Sequence, residues 1–122
     1  MLSHVSIGVR NLAGAAAFYD EIFAPLGYAR LWTGAGGLGY GPTGGGEKLN
    51  IFEHSDAFPP GPGFHLAFVA PHPAAVDAFH AAAMKAGGTD AGEPGPRPQY
   101  GPAYYAAFVL DPDGHKLEAV HQ

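Results

Sequence analysis

HLAFVAPHPAAVDAFHAAAMKAGG, residues 65–88, lies without a gap over HVSIGVRNLAGAAAFYDEIFAPLG, residues 4–27. His4 meets His65, Phe18 meets Phe79 and Gly27 meets Gly88, at an offset of 61 residues, half the chain length. A fixed offset of that size marks a duplicated module. Each copy reads as a strand, a short turn, an amphipathic helix and a glycine stop. In the first copy Asn11 is placed to cap the helix. Ala15, Phe18, Tyr19, Ile22 and Phe23 recur at helical spacing, and Pro25 with Gly27 ends the run. In the second, Pro73 suits the first turn, Val76, Phe79, Ala83 and Met84 form the apolar stripe, and Gly87–Gly88 stops it. Both stripes read as core.

Turn-rich, strand-like pieces follow each helix. They are YARLWTG, GLGYGP and EKLNIFEH in the first half, then GTDAGEP, AYYAAFVL and HKLEAV in the second. Asp-Pro-Asp-Gly between the last two is turn chemistry flanked by apolar runs, a hairpin signal. The expected fold class is therefore α+β: two βαβββ modules, about 1–60 and 61–122, in one domain. Their curved mixed sheet would form a cup with the helices outside. PGPRPQYGP, residues 94–102, is rich in Pro and Gly and reads as a surface loop carrying Arg97 and Tyr100.

Composition narrows the function classes. A chain of 122 residues fits one domain, and 47% hydrophobic residues supply a core. The 19 Gly and 12 Pro fit many turns between short strands. A net charge of -5 with only six Lys and Arg argues against a nucleic-acid partner. No apolar run approaches the roughly 20 residues of a membrane span. The opening MLSHVSIGV lacks the basic n-region of a secretory signal. The chain has no Cys, which removes disulfides and thiolate chemistry and fits a cytoplasmic location. Any metal site must draw on the seven His and the carboxylates.

Strand side chains alternate with period two. Val5, Ile7 and Val9 make a helix-facing row, as do Leu66 with Phe68 and Leu117 with Ala119. The opposite face then carries His4, His65, Asn50, His54 and Glu118, with small Ser6, Gly8 and Ala67 between them. Pairing Leu110 with His115 across the turn adds Tyr105 to that face. Two imidazoles and a carboxylate are the donor set of an open divalent-metal site, with positions left for substrate. The bland alternatives are strand-end histidines and a solvated glutamate; the repeat favours the site, because both His hold the same place in both modules. His54 could be a general acid or base, or an exposed loop-end histidine. Tyr105 could orient a substrate oxygen, or be a packed sheet aromatic. Arg97 and Tyr100 could close over a ligand, the Arg suiting a carboxylate or phosphate. His72, His80, His115 and His121 read as surface residues.

HVSIGVRNL with the following AFYDEIFAPLG, then FHLAFVA, and last AAFVLDPDGHKLEAV resemble the vicinal oxygen chelate superfamily over nearly the whole chain. That superfamily includes glyoxalase I, methylmalonyl-CoA epimerase, fosfomycin- and bleomycin-resistance proteins and extradiol dioxygenases. The resemblance implies a metal-dependent lyase, isomerase or dioxygenase whose divalent ion (Fe, Mn, Zn, Ni or Co) chelates vicinal oxygens of a small substrate. The implied ligands fall on His4, His65 and Glu118. The fourth position falls on Asn50, where glyoxalase I carries Glu; an amide there is closer to the epimerase and compatible with three-ligand members. The resemblance also implies a homodimer, sometimes with ligands from two chains in one site. The alternative is a metal-free protein of the bleomycin-resistance type that binds a small ligand or drug.

Overall fold

The computed structural model describes residues 1–122. Module one comprises β1 (Val5–Val9), α1 (Leu12–Phe23), a 3-10 turn (Ala24–Leu26), β2 (Tyr28–Thr33), β3 (Gly37–Pro42) and β4 (Leu49–Glu53). Module two comprises β5 (Leu66–Val69), α2 (Pro73–Lys85), β6 (Thr89–Pro96), β7 (Tyr105–Leu110) and β8 (Lys116–His121). The first strands and the helices start 61 positions apart, Val5 to Leu66 and Leu12 to Pro73, as the repeat requires. The caps are equivalent too. Asn11 Oδ1 accepts from Gly14 N, and His72 Nδ1 accepts from Ala75 N. His72 is thus a helix cap, a role its sequence context did not suggest.

Each module folds into its own mixed four-stranded sheet, in orders β1-β4-β3-β2 and β5-β8-β7-β6. The first strand pairs parallel with the last and the remaining pairs are antiparallel. No strand pair joins the two sheets, so the cup is unclosed. One face of each sheet packs under a helix. A single apolar cluster runs through both modules, from Val9, Phe18 and Ile22 to Phe79, Val109 and Leu117. Phe23 of α1 meets Phe68 of β5 edge to face at 4.9 Å. No helix is long and apolar enough to cross a membrane.

Pro94–Pro96, expected in a loop, belong to β6. β6 is the outermost strand of its sheet, where a missing N–H on the free side is tolerated, and its pairing with β7 is interrupted at Gly92 and Gly95.

A buried polar network ties the modules. Asp111 opens the β7–β8 turn and is 3% exposed. Its Oδ2 accepts from Tyr19 Oη of α1 at 2.6 Å and from His115 Nδ1 at 2.8 Å. Its Oδ1 accepts from the backbone N–H of Asp113 and of His115. His115, expected at the surface, is buried because this turn folds it onto Asp111. Burial, and then the Asp111 carboxylate, push the Tyr19 hydroxyl well above its ordinary pKa. Arg10 adds a second link, its backbone N–H and Nε donating to Asp113 Oδ1.

Candidate functional site

Pairing registers align two equivalent rows across the open faces. In module one the row is Ser6, Asn50, Gly39 and Trp32. In module two it is Ala67, Glu118, Phe108 and Gly92. Asn50 and Glu118 occupy matching places beside the first strand of each module.

The module-two row carries the densest chemistry. Glu118 is 2% exposed, yet it lies on the open face. Its Oε1 is 3.0 Å from His65 Nε2, and its Oε2 accepts from Tyr104 Oη at 2.5 Å. A buried carboxylate requires such partners, because desolvation of an unpaired charge is costly. Burial first, and then the hydrogen bond to Glu118, push the Tyr104 hydroxyl up to about 12. Tyr104 therefore stays protonated and donates at neutral pH. The His65 ring meets Phe108 edge to face at 5.7 Å and is 43% exposed, open to a ligand. Arg97 and Lys116 flank the same Phe108 ring at 5.8 and 5.0 Å. Arg97 is held there by its donations to the backbone oxygens of Glu93 and Gly95. Tyr100 is exposed at the tip of the hairpin, 5.3 Å from the ring of Tyr104.

Tyr105 is not on this face. The sequence reading paired Leu110 with His115, whereas the structure pairs Leu110 with Lys116 and Phe108 with Glu118. The turn takes in His115, through the Asp111 hydrogen bonds, and a one-residue shift exchanges the faces. Tyr105 Oη instead donates to Asp77 of α2, and Tyr104 takes the place beside Glu118.

His54 lies beyond the end of β4 and is exposed, 3.9 Å from the Cβ position a side chain at Gly8 would occupy. His4 is exposed and bonds only Ser3 Oγ through its Nδ1. His4 and His65 both line a groove of about 400 Å³ at the module junction, together with Phe23, Tyr28, Tyr40 and Phe68. No third His, Asp or Glu gathers with His65 and Glu118 within one chain. The structure thus brings His65 and Glu118 together and places His4 in the groove with His65, without a cluster of three donors.

Module one's row is neutral. Trp32 Nε1 donates to Asn50 Oδ1 at 2.9 Å, and Trp32 meets the ring of Phe52 at 6.0 Å. Trp32 reaches this face through a bulge between Arg30 and Trp32.

This paired, helix-backed architecture with its open cup is that of a known superfamily. The Glyoxalase/Bleomycin resistance protein/Dioxygenase superfamily model matches residues 1–119, and the chain belongs to that superfamily. Among solved structures, a glyoxalase/bleomycin resistance protein from Albidiferax ferrireducens T118 is 34% identical, with a TM-score of 0.86 over 100% of this chain and 98% of that one. A family enzyme from Burkholderia phytofirmans PsJN shares the fold at 23% identity and a TM-score of 0.73, covering 97% and 95% of the two chains. The fosfomycin resistance protein FosX from Listeria monocytogenes does so at 21% and 0.73, covering 98% and 91%. No curated protein matches the chain.

Proposed function

We propose that the chain is a metal-dependent enzyme of the glyoxalase/dioxygenase type acting on a small substrate with two neighbouring oxygens. The carrying observation is the His65–Glu118 pair, 3.0 Å apart, whose carboxylate is buried yet lies on the open face. An imidazole nitrogen and a carboxylate oxygen are the donor types a first-row divalent ion takes. They fit as two members of a three-donor set, and His4 of a second copy is the third in this reading. Such an ion supplies Lewis acidity, stabilising negative charge on the substrate oxygens. Glu118 is oriented for this by the Tyr104 hydroxyl, which holds Oε2 and leaves Oε1 towards His65. Arg97 and Lys116 would hold an acidic group of the substrate, and Tyr100 would cover it.

A second reading is favoured by one observation: three His or carboxylate donors do not converge within a single chain. It is a metal-free protein that binds a small ligand or drug in the cup. Calorimetric titration with Mn, Fe(II), Co, Ni and Zn separates the two. The first reading expects one ion per chain in the wild type and none in His65→Ala. Mixing His4→Ala with Glu118→Ala subunits would rebuild sites in mixed dimers, about a quarter of the wild-type number after random exchange. No binding of any ion by the wild type overturns the metal reading and leaves the second.

A further inference from the structure

Module one's sheet holds a buried amide whose nitrogen has no partner in the protein. Asn50 is 6% exposed, and its only side-chain hydrogen bond is the one from Trp32 Nε1 to Oδ1. An indole N–H can only donate, so the amide must turn its oxygen to Trp32 and its NH₂ away. No fully enclosed side-chain nitrogen or oxygen lacks a partner, so Nδ2 is in part accessible rather than sealed within the sheet. The row that aligns these groups also protects the arrangement. A Cβ at Gly39 would overlap both Trp32 Nε1 and Asn50 Oδ1. The Phe52 ring stands beside Trp32 and is 38% exposed, although it is a large apolar side chain. Two N–H donors thus sit at the foot of two aromatic walls.

We propose that Trp32, Asn50 and Phe52 form a subsite for a flat ring bearing a carbonyl or carboxylate oxygen. The oxygen accepts from Asn50 Nδ2, and the ring lies against Trp32 and Phe52. Asn50 then acts as a hydrogen-bond donor to the ligand, with its own oxygen committed to the indole. The subsite belongs to module one's sheet alone and does not rest on the metal reading.

Trp32 is the only tryptophan of the chain, so intrinsic fluorescence reports on this position directly. The test titrates the full chain, in excess EDTA, with benzoate and separately with benzylamine, which offers a similar ring and donors only. Benzoate is expected to change Trp32 emission and to saturate in the millimolar range. Benzylamine should bind at least about tenfold more weakly, as expected for a lost hydrogen bond to a charged group. The net charge of -5 would by itself favour the cation, so the preference cannot come from the overall field. Asn50→Asp keeps an acceptor for Trp32 but removes both donors, and should weaken benzoate by a further factor of about ten or more. His80→Ala, whose ring bonds Asp90 away from this row, should leave the response unchanged, and the excess EDTA separates this subsite from the metal reading. Equal affinity for the two probes overturns the proposal, as does an unaltered benzoate response in folded Asn50→Asp or no response in the wild type. The two-probe comparison stands on wild-type protein even where the variant fails to fold.

Discussion

Replacing Tyr19 by Phe removes one oxygen from the centre of the molecule and tests what joins the modules. The ring stays, and with it the packing on Phe18, Phe23 and Tyr40 at 5.3, 5.4 and 6.0 Å. The lost interaction is the 2.6 Å hydrogen bond to Asp111 Oδ2, made in full burial. Asp111 keeps the backbone N–H groups of Asp113 and His115 and the His115 ring. The carboxylate is therefore under-solvated rather than abandoned, and a bond to a charged acceptor of this kind contributes about 1.5–3 kcal/mol. Asp111→Ala is harsher. It strips acceptors from four donors at once and leaves the Tyr19 hydroxyl buried and unpaired, so about 3–5 kcal/mol is expected. Urea unfolding followed by tyrosine and tryptophan emission measures both, with the m-value showing whether the modules still unfold together. A Tyr19→Phe protein within about 0.5 kcal/mol of wild type would refute the reasoning, because then the Tyr19–Asp111 bond does not hold the modules together.

Tyr104→Phe should weaken metal binding by about 10–100-fold in calorimetry, whereas Tyr105→Phe should leave it unchanged, since Tyr105 bonds Asp77 on the helix side. Asn11→Ala should cost about 1 kcal/mol in thermal or urea unfolding, through the lost cap on Gly14 N. Stability should fall as pH rises above about 10. Tyr19 and Tyr40 are raised above their ordinary value near 10, first by burial and then by Asp111 and Asp20 respectively. The unfolded chain releases these protons first, so the stabilisation is complete below pH 10 and is lost above it. Pressure-free alkaline titration monitored by circular dichroism checks this; a flat profile to pH 12 would contradict it.

Local pattern carries the modules and the placement of part of the candidate site. The helices were legible because their stripes, caps and glycine stops agree with one another, and the duplication supplied each with a template. His65 and Glu118 were legible because alternation along β5 and β8 is unbroken, and the two strands pair in parallel with Ala67 opposite Glu118. Three features were not, each for a physical reason. Alternation alone puts Tyr105 on the wrong face, because side-chain hydrogen bonds of Asp111 decide how many residues the last turn consumes. Strict alternation groups Trp32 with Arg30, which points to Asp20 of α1; the bulge between them turns Trp32 to the open face. Repeat symmetry groups His4 with His65 and both line the junction groove, but how closely the modules bring them together depends on contacts such as Tyr19 with Asp111 that no periodicity encodes.

The two rows across the open faces also bear on how a duplicated protein loses its symmetry. Matched strand for strand, they exchange their bulky and small members: Gly39 and Trp32 in one module stand where Phe108 and Gly92 stand in the other. They also exchange chemistry, a neutral amide in one and a carboxylate in the other. Identical halves would present two like open faces to a ligand. Here each face has its own shape and its own hydrogen-bonding group, so a ligand meets two unlike surfaces. Differences at four equivalent positions are enough to make the two faces unlike, without altering the strand order that repeats.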